Sequence, residues 1–264
     1  MNKGFVGFFD ILGYQNIIQN KRIEYAAQLI DSEIAILGEK TRDSLVKRLG
    51  GQVEPNHCLN SIKAIVVSDS IILFFPYSEI DYNDDWKLFY FLSYVFQLLK
   101  SAFDAGLPLR GAISYGEYYY NENTFAGLPI VSSYGLSERL NLSGCIFTEE
   151  AAKELICTLE SIMARRGNAQ DFHKLLFSYL APLKDVDQKS IMLNWYQPFE
   201  NWDNPVSDLR QPVDVRQYVI EKFHDHGKNV SRREVEKLEN TERIIRYTMC
   251  LNEETFDQVL KHGR

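Results

Sequence analysis

The run "GFVGFFDIL" at residues 4 to 12 has the aromatic and β-branched character of a strand, and Gly13 interrupts it before "QNIIQN" takes up helical spacing. From Glu24 to Leu49 apolar positions recur every three or four residues, which predicts a helix with one wet face, broken by "GGQVEPNHCLN". Two short apolar runs follow, "SIKAIVV" and "SIILFFP". Little more than Ser68 and Asp69 separates them, the spacing of a tight hairpin with Asp69 at its tip. "DYNDDWKLFYFLSYVFQLLKSAFDAG" carries acids in its first turn and Gly106 as a stop, and so predicts a second helix. "PLRGAISYGEYYY" returns to strand character. Beyond Gly127 and Pro129, "IVSSYGLSERLN" suits a short helix, "GCIF" a strand, and "TEEAAKELICTLESIMARR" a helix capped by Thr148.

The order β, α, β, β, α, β, α, β, α places a hairpin between two strand and helix units. It predicts an α+β fold, a ferredoxin-like βαββαβ sandwich with helices on one face of a mixed sheet. After residue 170 the signal changes: "KSIMLNWYQPF" reads as one further strand, and "PVDVRQYVIEKFHDHG" and "SRREVEKLENTERIIRYTMCLNEETFDQVLKHG" as charged helices. With no Gly/Ser-rich or Pro-rich linker, residues 171–264 are expected to pack as one or more final strands and a helical appendage on the unit formed by residues 1–170.

Composition then removes several function classes. With 45% hydrophobic and 25% charged residues over 264 positions, the chain has the balance of a globular protein rather than a disordered one. A formal charge of −7 argues against a surface built to coat nucleic acid, whose affinity comes from clustered Lys and Arg, but leaves room for a small anion held through a metal. Cys58, Cys145, Cys157 and Cys250 form no CxxC pair, and no signal-like segment opens the chain, so free, partly buried thiols in a reducing cytoplasm are expected. The longest apolar-rich stretch keeps Lys87, Ser93, Gln97 and Lys100, and no run reaches the roughly 20 apolar residues of a membrane helix.

The candidate chemistry lies in two acids. If the first strand and the hairpin are neighbours, Asp10 and Asp69 project from one sheet end and face each other. Two such carboxylates repel unless a cation sits between them, and hard oxygen ligands favour Mg²⁺ or Mn²⁺ over zinc. Backbone amides of Leu12, Gly13 and Tyr14, at the start of the following helix, are placed to bind phosphate, and Gly13 lets the backbone come close. Spacing alone leaves open that both acids are simply solvated, as acids at strand ends and hairpin tips commonly are. The other features are weaker. His224 and His226 point to different helix faces, and "GGQVEPNHC" follows a helix and so lacks the setting of a phosphate loop. Tyr115, Tyr118, Tyr119 and Tyr120 read either as core or, at Tyr115, as a stacking surface for a base.

Together "FFDILGY", "VVSDSIILF", "LRGAISYGE" and "FAGLPIVSSYGLSERLNLSGCIFTEEA" resemble, in order, the motifs of the class III nucleotidyl cyclase catalytic domain. Within that family they look most like the Pycsar pyrimidine cyclases of bacterial anti-phage defence. The resemblance spans residues 4 to 155, with a weaker likeness over "SIMLNWY". It implies that Asp10 and Asp69 are metal-binding carboxylates for two Mg²⁺ or Mn²⁺ ions, with the carbonyl of Ile11 as a further ligand. It also implies that backbone from Leu12 to Tyr14 holds the β and γ phosphates. The implied reaction is attack of the ribose 3′-oxygen on the α-phosphorus with pyrophosphate leaving.

The departures bear on the base. Purine cyclases read it with a Lys four residues before the hairpin Asp and with an Asp three residues before the glycine aligned with Gly127; here those places hold Ile65 and Thr124. The family's ribose-steadying Asn and transition-state Arg fall on Val131 and Gly135, with Arg139 one helical turn further and Arg110 as the other basic candidate for substrate contact. Arg110 equally reads as a strand-end Arg paired with an acid. The resemblance thus implies a cytoplasmic homodimer with active sites at its interface. It would convert UTP or CTP to the 3′,5′-cyclic monophosphate, which acts on a separate effector. The alternatives are a purine cyclase with other base contacts, a polymerase-palm or diguanylate-cyclase enzyme, whose Gly-Gly-acid-acid hairpin "VVSDS" lacks, and an inactive nucleotide-binding homologue.

Overall fold

β1 (Asn2–Ile11) begins with two exposed residues and is then buried from Gly4 to Phe9 without alternation, the signature of a central strand covered on both faces. The structure, a computed structural model, describes residues 1–48, 58–78, 85–121, 124–167, 169–196, 214–229, 231–251 and 253–262. The turn expected at "GGQVEPNHCLN" lies mostly outside them, as do Asp81 and Asp84 of the acidic helix start.

After β1 come α1 (Tyr14–Asn20), α2 (Ile23–Leu29) and α3 (Ala35–Arg48), the last two joined through a π-helical turn at Ile30–Ile34. β2 (Lys63–Val67) and β3 (Ser70–Pro76) form the expected hairpin, turned at Ser68 in the left-handed region (φ 56°). α4 (Asp85–Asp104) ends as expected at Gly106 (φ 74°). β4 (Leu109–Asn121) folds back through the short β5 (Thr124–Ala126). α5 (Leu128–Arg139), β6 (Gly144–Phe147) and α6 (Glu149–Arg166) follow, and the side chain of Thr148 accepts a hydrogen bond from the Ala151 amide at the start of α6. The remaining elements are α7 (Gln170–His173), β7 (Leu176–Ala181), β8 (Gln188–Leu193), α8 (Val215–His224), α9 (Arg232–Thr248) and α10 (Glu253–Leu260).

The sheet order is β2-β3-β1-β4-β6-β8-β7. Its first four strands, mutually antiparallel in the pairs β2·β3, β3·β1 and β1·β4, have the ferredoxin-like arrangement, and β6 joins β4 in parallel. The fold is therefore the α+β class expected, with two corrections. Helices cover both faces rather than one: Phe5, Phe9 and Ile11 of β1 pack in the main core with α2 to α4, while Val6 and Phe8 pack on the other face with Ile72, Phe74, Tyr118 and, from α5, Ile130. A strand apolar on both sides needs two covering layers. The second is β7, "LFSYLA", a strand not read from the sequence, which hairpins onto β8 so that two strands extend the sheet beyond residue 170. α9 then inserts Leu238 and Ile245 into the main core and Ile244 into a further cluster with Ala112, Ile146 and Met192. The four cysteines are free, Cys58 and Cys145 buried, Cys157 and Cys250 exposed.

Candidate metal and phosphate site

In the β1·β3 ladder Asp10 lies opposite Ser70, the neighbour of Asp69, and in the β1·β4 ladder it lies opposite Arg110. The hairpin tip and Arg110 therefore flank Asp10 on its two sides, and the Ile11 amide fixes the tip by donating to the Asp69 carbonyl at 3.2 Å. Strand pairing thus brings the two acids together as the sequence predicts. Asp10 is pushed up to about 6 from the ordinary carboxylate range; burial is the main cause, the Asp69 and Glu138 charges add to it, and Arg110 opposes it. That the Asp69 charge is felt at Asp10 places the carboxylates within electrostatic reach of each other.

Arg110 is buried, and its Nε (3.2 Å) and Nη2 (2.9 Å) both donate to Oδ2 of Asp10. Its Nη1 donates to the Glu138 carbonyl at 3.1 Å, and Nη2 also pairs with the Glu138 carboxylate. The fork is a charge-assisted, geometrically fixed clamp. It engages one oxygen of Asp10 and leaves Oδ1 to other ligands. Among the described residues no group of three or more His, Cys, Asp or Glu forms a metal-binding cluster, so any ion here takes two carboxylates and completes its shell from water, backbone or substrate oxygens. That donor set fits Mg²⁺ or Mn²⁺, which keep waters and take phosphate ligands, and does not fit zinc.

The phosphate end differs from expectation at Leu12. Its amide is not unpaired: it donates to the Pro108 carbonyl at 2.8 Å, because strand-like pairing between the β1 and β4 segments runs one residue past Ile11. Gly13 does have the left-handed backbone (φ 80°) that suits glycine, and Tyr14 is buried beside Ser68 and Asp69, its phenol raised in pKa first by burial and then by the Asp69 charge. A methyl group on Gly13 would stand 3.0 Å from Cδ of Lys228 and 3.6 Å from Oε1 of Glu234, so the stretch between α8 and α9 lies over this backbone. Glu234 Oε1 accepts from Asn16 Nδ2 at 2.7 Å, and the Lys228 ammonium donates to the Gly106 carbonyl at 2.7 Å. Burial lowers the Lys228 pKa to about 8.

The structure does not bring the other candidates to this point of the chain. Ile65 is half-buried on β2, opposite Ile72 and packed against the Val6, Phe8 and Phe74 cluster. Tyr115 lies five positions along β4 from Arg110, opposite Phe5; its ring packs 5.0 Å from that of Phe5 and its hydroxyl donates to the Tyr77 carbonyl at 3.3 Å. Thr124 is exposed on the β4·β5 hairpin at the far end of β4. Val131 and Gly135 are exposed on α5, and Arg139 forks onto Asp185 at 2.8 and 3.2 Å. His226 turns to Tyr25 and the Ala105 carbonyl, and His224 to the Ile220 carbonyl, so the two do not converge.

Sequence reasoning missed Glu138, Asn16, Lys228, Glu234 and Lys237. Glu138 sits beside Arg139 within a quoted motif, but no local signal joins it to Arg110, 28 positions away. Glu234 and Lys237 belong to a stretch that reads only as a charged helix, and Lys228 lies just before it, yet Lys228 is buried, and the proton affinity of Lys237 is lowered first by burial and then by Arg110.

No protein-family profile matches the chain, and no curated protein matches it significantly. Among solved structures it is similar to the guanylate cyclase domain of RhGC from Catenaria anguillulae in complex with GTP (11% identity, TM-score 0.41), covering 73% of this chain and 96% of that one. It is also similar to the guanylyl cyclase Cya2 (9% identity, TM-score 0.37, 77% of this chain and 98% of that one). A third is a structure of adenylate cyclases from Trypanosoma brucei in their monomeric state (13% identity, TM-score 0.36, 74% of this chain and 90% of that one). Likeness at this level assigns neither family nor activity.

Proposed function

We propose that the chain is a class III nucleotide cyclase that converts a pyrimidine triphosphate, UTP or CTP, to its 3′,5′-cyclic monophosphate and pyrophosphate. The observation that carries the proposal is the placement of Asp10 and Asp69 at one sheet end, Asp10 on β1 and Asp69 in the hairpin turn beside its ladder partner Ser70, within reach of each other's charge. Two bound Mg²⁺ or Mn²⁺ ions, held by these carboxylates and the Ile11 carbonyl, would acidify the 3′-hydroxyl and neutralise phosphoryl charge. In the reaction the bond from O3′ to the α-phosphorus forms, the bond to the bridging oxygen breaks, and that electron pair leaves with pyrophosphate while the 3′ proton goes to solvent. Arg110 holds Asp10 in place through Oδ2. Gly13 and Tyr14 offer the backbone for the β and γ phosphates, and the apolar Ile65 stands where a purine-reading Lys would be.

Thr124 and Val131 lie away from Asp10, so in this reading one chain supplies the acids and a second copy supplies the base and ribose contacts. An exposed apolar stripe on α5, Leu128, Val131 and Tyr134, supports such a homodimer. Residues 1–170 would then form the catalytic unit, its product acting in the cytoplasm on a separate effector in defence against phage. The test is incubation with each of the four ribonucleoside triphosphates and Mn²⁺, scoring cyclic nucleotide and pyrophosphate. Product from UTP or CTP is expected, reduced on the order of 100-fold or more by Asp10→Asn or Asp69→Asn. No cyclic product from any substrate would overturn the proposal, and product from GTP or ATP alone would overturn its pyrimidine part.

A further inference from the structure

The backbone at Gly13 is covered from within the chain. Glu234, in the first turn of α9, directs Oε1 over Gly13 and accepts a hydrogen bond from Asn16 of α1, while its Oε2 accepts from the Ser231 amide at 2.6 Å in a capping box. Lys228 lays its aliphatic stem against the same glycine. The space left between Leu12, Gly13, Phe223, Lys228, Glu234 and Lys237 is about 10 Å³, room for at most one water, whereas sites for small molecules run to roughly 300 to 1,000 Å³. A carboxylate thus lies against the backbone that the cyclase reading gives to phosphate, and its charge and bulk oppose a second anion there.

We propose that Glu234 is an internal competitor for the phosphate end of the site: its carboxylate must leave Asn16 before a triphosphate reaches Gly13 and Tyr14. The inference rests on the cyclase reading of residues 10 to 14. Rotation of the Glu234 side chain exchanges the Asn16 bond for bonds to water. The main body of α9 need not move, since Leu238, Ile244 and Ile245 stay buried. The enzyme would therefore rest in a covered state, and substrate would bind at an affinity reduced by the competition.

Two substitutions in the full chain test this by different routes. Glu234→Gln keeps the capping geometry and removes the charge; Asn16→Ala removes the partner and leaves Glu234 intact. Binding of Mn²⁺-pyrophosphate and of Mn²⁺-UTP and Mn²⁺-CTP is measured by calorimetry, and hydrogen exchange of the Gly13 and Tyr14 amides is followed without ligand. Each variant is expected to bind pyrophosphate at least about fivefold more tightly than wild type and to exchange these amides faster. Wild-type binding with unchanged affinity in both variants overturns the competitor role and leaves the cyclase reading standing. No binding of any probe by wild type or variants overturns both. Binding by the variants alone is the strongest result in favour.

Discussion

At Asp10 burial favours the neutral acid and the Arg110 guanidinium favours the carboxylate; burial prevails and holds the pKa at about 6 against an ordinary 3.8. Between those values the folded chain binds a proton that the unfolded chain has released. The contribution of Asp10 to stability is therefore fully present below about pH 4 and is lost as pH rises through 6, the reverse of the usual salt-bridged acid. Asp10→Asn, neutral throughout, is expected to shrink the change in folding free energy between pH 4 and pH 7 by on the order of 2 kcal/mol, read from urea unfolding at each pH. A cation bound here competes with the same proton. Mn²⁺ affinity should accordingly fall about tenfold per unit below pH 6 in wild type and lose that slope in the variant. Arg110 is then a support for Asp10, bonded through one oxygen, more than a free cation awaiting substrate.

The elements make that support possible by close approach. β1 and β4 meet where Gly111 faces Phe9, and a methyl group on Gly111 would stand 2.2 Å from Cδ1 of Phe9 and 2.8 Å from the Phe8 carbonyl. Since Arg110 is the adjacent residue, Gly111→Ala is expected to shift β4 against β1. It should destabilise the chain by about 1 to 3 kcal/mol and weaken Mn²⁺ binding, measured as the urea midpoint and by metal titration. On the other face α5 turns the small Pro129, Ser133 and Ser137 toward the sheet, and Pro129 reaches Gly116. That packing sets Glu138, at the C-terminal end of α5, where it grips Arg110. The periodicity of "IVSSYGLSERLN" announces this helix but not which face meets the sheet, because the buried face is made of small residues, a proline and two serines, rather than an apolar stripe.

For the whole molecule the cyclase reading requires two copies, and the α5 stripe gives the means to test it. Val131 is 65% exposed and has no role in holding the monomer together, so Val131→Glu should leave stability within about 0.5 kcal/mol while lowering the dimer fraction in light scattering at micromolar concentration and, with it, cyclic-product formation. A monomeric wild type with full activity would remove the second copy from the mechanism. Much of this architecture was legible in advance. The strand with Asp10 near its end, the two-residue turn at Ser68 and Asp69, and the caps at Thr148 and Gly106 are local, and side-chain period and turn chemistry are written in neighbouring residues. β7 escaped because six residues paired only with β8 carry little periodic signal, and the second helical layer escaped because an unbroken apolar strand does not say what covers it. By itself, then, the sequence determined most of the elements, their ferredoxin-like order and the hairpin with Asp69 at its tip, since side-chain period and turn length are local; that β1 pairs with this hairpin, which the sequence reading took as a condition, the sheet decided. Only the tertiary structure decided that Arg110 and Glu138 grip Asp10 and that Glu234, 218 positions from Asn16, lies over Gly13. Such contacts depend on how distant segments pack in three dimensions, and a charged side chain that caps a buried backbone looks, in one dimension, like one that faces water.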